Sequence, residues 1–106
     1  MSSEALMPRK VYVNGAAYKV KRKALDGAYG ICRQDHARID IDPAQSEHSA
    51  RGTLLHEVMH AALHECGGTA THGLDEAAEE RVISTLAPAI LLALRANPLL
   101  VAYLTA

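Results

Sequence analysis

Thr53-Leu54-Leu55-His56-Glu57-Val58-Met59-His60-Ala61-Ala62-Leu63 is the stretch that organises this chain. It contains no Gly or Pro, and Ser46 or Ser49 upstream offers a cap. A helix reaching about Cys66 follows, closed by Gly67-Gly68. At 100° per residue, Leu54, Val58 and Ala61 fall on one side, and Leu55, Met59 and Ala62 widen that apolar part. Thr53, His56, His60 and His64 fall opposite, with Glu57 at the edge. The helix thus turns an apolar face to a core and a histidine face to something else.

His56 and His60 are one turn apart, so both imidazoles point to the same side. Two neutral His nitrogens and a third protein ligand leave a zinc ion one open position. A glutamate between them is placed to act as general base on a water there. With this chain's His and Glu frequencies, a chance His-Glu-x-x-His has odds on the order of a few per cent. The bland alternative is a helix of surface or satisfied core histidines, and buried histidines without partners are costly.

A second helix begins near Leu74, with Asp75, Glu76, Glu79 and Glu80 in its first turns, where acids suit the helix dipole. Val82, Ile83, Leu86, Ile90 and Leu94 give it an apolar stripe. Pro88 removes one backbone donor and is expected to kink it. Asn97-Pro98 ends it, before a last short helix over Leu99–Leu104. Glu79 lies nearest the stripe formed by Ile83, Leu86 and Ile90 and is the expected third metal ligand. Glu76 comes second, Glu80 is further round, and His72 is a weaker alternative. His64 lies about 12 Å along the axis from His56, too far to close a tetrahedron with both motif histidines. It is a candidate for assisting the transition state, as are His72 or a Tyr.

Upstream, Lys10-Val-Tyr-Val-Asn14-Gly15-Ala-Ala-Tyr18-Lys-Val20-Lys21 reads as a hairpin around an Asn-Gly turn. A third strand is expected over Ala28–Arg33, a turn at Gln34–His36, and a fourth strand over Ala37–Asp42 with Ile39 and Ile41 on one face. The fold class is α+β: a three- to four-stranded, mostly antiparallel sheet on two long helices. One domain spans 1–106, with 1–8 read as a flexible lead-in.

Composition supports an aliphatic core: 49% apolar residues, no Phe or Trp, and four Tyr. Lack of aromatic platforms argues against stacking on bases. Cys32 and Cys66 lack metal or disulfide-framework spacing and suit free thiols. The net charge of −1 conceals halves of opposite sign. Up to Arg38, eight Lys and Arg face three acids, net +5; from Ile39 on, three Arg face nine acids, net −6. The basic residues are interleaved with strand positions, which reads as solvated strand edges; direct nucleic-acid binding is not expected. No apolar leader or membrane-spanning run is visible, so the chain reads as cytoplasmic.

The order of hairpin, "ARIDID" (Ala37–Asp42), "TLLHEVMHAAL" (Thr53–Leu63) and "LDEAAEERVISTLAP" (Leu74–Pro88) resembles small phage or prophage members of the ImmA/IrrE-type metallopeptidases, a zincin-like group. The resemblance implies zinc held by His56, His60 and a downstream Glu, here Glu79, with Glu57 catalytic. It implies a protein or peptide substrate, with repressors or other regulators as the class. A substrate strand would pair with a sheet edge, expected at Ala37–Asp42. The competing reading is a metal-stabilised regulatory or binding module that kept the scaffold with little proteolysis. The small size favours that module; the complete motif, including Glu57, favours the enzyme.

Overall fold

A computed structural model describes residues 6–106; of the expected lead-in over 1–8, residues 1–5 lie outside the described region. Four strands form one sheet: β1 (Lys10–Val13), β2 (Ala16–Arg22), β3 (Gly30–Arg33) and β4 (Arg38–Ile41). A single 3-10 turn over Gln34–His36 joins β3 to β4. Four helices follow: α1 (Glu47–Glu65), α2 (Thr69–His72), α3 (Glu76–Ala96) and α4 (Pro98–Leu104). The α+β class is as expected; α2 is an added short helix.

The β1–β2 hairpin turns at Asn14 and Gly15, whose φ values of 48° and 83° are those of the tight turn that Asn-Gly favours. The rest of the sheet departs from the expected order. The strands lie β1-β2-β4-β3, with β2 and β4 parallel and the other two pairs antiparallel. The sheet is therefore mixed, and β4 is interior. The expectation that Ala37–Asp42 forms the open edge is corrected: the edge on that side is β3. Alternation fixes which face of a strand is buried but not which strands flank it.

Val13, Tyr18, Val20, Ile39 and Ile41 are buried on one face, against Ala50 and Ala61 of α1, with Leu54 and Val58 packed around them. The Tyr18 hydroxyl donates to Glu65 Oε2 at 2.6 Å and ties the end of α1 to the sheet. At the other end Ser46 caps α1 by accepting the Ser49 backbone N–H. The alternate sheet residues include exposed Lys10, Lys19 and Lys21 and half-buried Arg33 and Arg38. Asp40 stands among them on β4, its side chain fully buried. Arg33 Nε donates to its Oδ2 at 2.8 Å, and Arg38 reaches both its oxygens at 3.0 Å.

α3 packs on α1, burying Ile83 and Ala87. Its Asp75 cap accepts the Ala78 N–H. The helix continues through Pro88 to Ala96, so Pro88 does not end it. Three members of the expected stripe, Val82, Leu86 and Ile90, are exposed. α4 turns away from α3 by 101°. No single helix among the described residues is long and apolar enough to cross a membrane.

Candidate metal centre

The two motif histidines project from the middle of α1 toward the first turns of α3, their rings 5.0 Å apart. Both offer Nε2 to one oxygen. Glu80 Oε1 lies 3.0 Å from His56 Nε2 and 2.8 Å from His60 Nε2. His56, His60 and Glu80 thus form a compact group of potential metal donors. Ser84, one turn further along α3, donates its hydroxyl to the other Glu80 oxygen.

Glu79, expected as the third ligand, stands on the far side of the His60 ring. Its Oε2 lies 2.6 Å from His60 Nδ1. Its Oε1 lies 3.0 Å from His72 Nε2, off the line of a full hydrogen bond. His72 Nδ1 accepts the Leu74 N–H, so His72 carries its ring proton on Nε2, toward Glu79. The Glu79 carboxylate holds a proton on Nδ1, so that His60 would offer its Nε2 lone pair to a metal placed between it and Glu80. Glu76, one turn before Glu80 on α3, lies outside the donor group. His64, at the end of α1, is exposed and outside it too.

The position of Glu80, rather than Glu79, beside both Nε2 atoms has a physical source. The apolar stripe read from the sequence mixes two faces of α3. Ile83 and Ala87 face α1, whereas Leu86 and Ile90 remain in solvent. On a wheel centred between Ile83 and Ala87, Glu80 lies about 40° away and Glu79 about 60°. Nothing in the sequence separates Leu86 and Ile90 from core residues; the small Ala87 was the only signal pointing the other way.

Glu57 lies behind this group and is buried, its side chain only 9% exposed. Its Oε2 is 4.0 Å from His56 Nε2. Burial raises its pKa; the nearby His56 and His60 and the Cys32 backbone N–H pull in the opposite direction without cancelling it. Burial alone would lower the His60 pKa, but the bonds to Glu79 and Glu80 outweigh it and raise it. Burial opposes ionisation of Glu80 as well, yet His60 and His56 hold its pKa low. Cys32 is pushed up to about 12 by burial and by Glu57 and Glu79, which keeps it a neutral thiol and a poor ligand.

β3 closes one side. Asp42 N–H donates to Tyr29 O, so by antiparallel alternation Gly30 and Cys32 direct their backbone groups to the open edge. Gly30 is required there: a Cβ would stand 2.6 Å from Thr53 Cγ2 and 3.2 Å from Glu57 Cγ. A cleft of about 650 Å³ runs from the site between β3, α1 and α3, walled by Gly52, Ala87, Pro88 and Leu91. An acidic recess of about 610 Å³ opens on the other side, lined by Glu76, Glu79 and Glu80. Gly30, His56, Glu57 and Glu80 border both.

The donor set suits a divalent ion. Three carboxylates, Glu57, Glu79 and Glu80, converge on two histidines, and among the described residues none of the three pairs with a Lys or Arg. Two imidazoles and a carboxylate are the ligand types of a catalytic zinc site with an open position. Donors around a tetrahedral ion with bonds of about 2.0–2.1 Å stand about 3.4 Å apart, so the 2.8 and 3.0 Å separations need only a slight opening. No family model, curated protein or solved structure matches the chain, so its chemistry rests on these residues.

Proposed function

We propose that the chain is a zinc-dependent metallopeptidase of the zincin-like kind, with His56, His60 and Glu80 holding the metal and Glu57 as general base. The observation that carries this reading is the convergence of His56 Nε2 and His60 Nε2 on Glu80 Oε1 beside a buried glutamate that pairs with no Lys or Arg among the described residues. When bound, zinc makes a water acidic near neutral pH and polarises a carbonyl. Glu57 takes a proton from the attacking water on its carboxylate and delivers it to the departing nitrogen. A pKa raised toward neutrality improves it as a proton acceptor. Glu79 keeps the His60 proton on Nδ1. Gly30 directs its N–H and C=O to the open edge of β3, where an extended peptide can pair with them. The substrate class is a protein or peptide, with a regulatory protein as the resemblance implies.

The test compares Glu57→Gln with the wild-type chain, both loaded with zinc, on a mixed peptide library. The variant should hold one equivalent of zinc and lose hydrolysis by about 10²–10⁴-fold. Equal hydrolysis by both would remove Glu57 from its role. Absence of hydrolysis by zinc-loaded wild type would favour the non-proteolytic module.

A further inference from the structure

The most unusual surface of the molecule lies away from the metal centre. α4, Pro98-Leu-Leu-Val-Ala-Tyr-Leu104, carries no charged residue, and its main packing partner is α3. Leu99, Leu100, Tyr103 and Leu104 are 85%, 43%, 80% and 63% exposed. On α3, Val82, Leu86 and Ile90 are 39%, 44% and 38% exposed. These three lie on the flank opposite the cleft-lining Pro88, Leu91 and Arg95. A seven-residue helix does not hold together alone in water, and a helix apolar on all sides belongs in an interior.

We infer that the α3–α4 face is the interface of a two-fold dimer of this chain. Each chain carries both halves of the contact: an all-apolar helix and an apolar flank able to receive one. An exchange, α4 of one copy on α3 of its partner, is therefore isologous and closes on itself. At about 200 Å² for a fully exposed large apolar side chain, the seven residues present roughly 700–800 Å² per copy. A stable interface buries about 800 Å² per partner. A monomer rarely leaves so much large apolar side chain in solvent on two consecutive, touching helices. The charge pattern argues against a bilayer as the occupant. α3 opens with Glu76, Glu79 and Glu80, its only cations are Arg81 and Arg95, and α4 has none, so the basic rim that binds anionic lipid is missing. The cleft lies on another flank of α3 and stays open in such a dimer.

The experiment is sedimentation equilibrium of the full chain from 1 to 100 μM, with and without zinc. The expected mass is twice the 11.4 kDa of one chain. Leu86→Glu on α3 and Leu104→Glu on α4, both exposed positions, should each weaken the dimer on the order of 30-fold or more while helical circular dichroism is unchanged. Lys21→Glu on the opposite sheet face should leave it intact. A monomer throughout this range overturns the inference, as does a dimer indifferent to both Leu substitutions. A flotation arm uses vesicles of 70% phosphatidylcholine and 30% phosphatidylglycerol. Flotation of a monomeric chain would identify a membrane as the occupant and overturn the dimer.

Discussion

Asp40 and Glu57 are the buried charged side chains among the described residues, and they are buried in opposite ways. Asp40 sits on the sheet under two guanidinium groups. Burial raises its pKa, but the bonds from Arg33 and Arg38 win and lower it. Glu57 sits inside the helical layer with one backbone N–H and two histidines, and burial wins. The first arrangement holds a charge in place; the second leaves a carboxylate ready to take a proton. The difference separates an acid that supports the fold from one that costs it stability, which is what the proposed role of Glu57 as general base requires.

That contrast can be tested by substitution, beginning with the largest effect. Glu80→Ala should weaken zinc binding on the order of 10³-fold, measured by competition with a chromophoric chelator, because one of three protein ligands is gone. Asp40→Ala should destabilise the chain by about 2–4 kcal/mol at pH 7 in urea melts, since two half-buried arginines lose their partner. A lowered folded pKa means that this stabilisation is present above the unfolded value near 3.8 and disappears as the pH falls through the folded one. The deficit of the variant should therefore shrink below about pH 3.8. Glu79→Gln should cost 10- to 100-fold in zinc affinity, the range for a group that orients a ligand; a loss as large as that of Glu80→Ala would make Glu79 a ligand.

Glu57→Gln should give the smallest change and the opposite sign. Its raised folded pKa favours the protonated fold, an advantage present below about 4.5 and lost as the pH rises through the folded value. At pH 7 the ionised group is a burden. The metal-free variant should gain about 1 kcal/mol over wild type there, and the gain should vanish below pH 4.5. A destabilised variant would place Glu57 with Asp40.

Much of this was legible in the chain. Asn14-Gly15 set the hairpin, alternation gave the buried faces of β2 and β4, and the spacing of His56 and His60 put both rings on one side. Ser46 or Ser49 was readable as the start of α1, and a start near Leu74 came within two residues of that of α3. Neighbour relations were not legible. β4 took a place between β2 and β3 because β2 had a free edge for it, and no local pattern records that. That Glu80, not Glu79, stands beside both Nε2 atoms depended on which apolar residues of α3 face α1, and Leu86 and Ile90 gave no sign of it.

β3 is four residues long, bonded to the sheet on one side only, and also a wall of the cleft. Opening it locally requires breaking few ladder bonds and leaves the α1–sheet core closed. Hydrogen exchange at Ile31, whose N–H faces β4, should therefore run well ahead of exchange in the middle of α1. A transient separation of this strand would remove the Cys32 N–H from Glu57 and take away the sheet edge beside it while both helices stayed folded. A ligand laid along β3 would pair its free edge and oppose that opening.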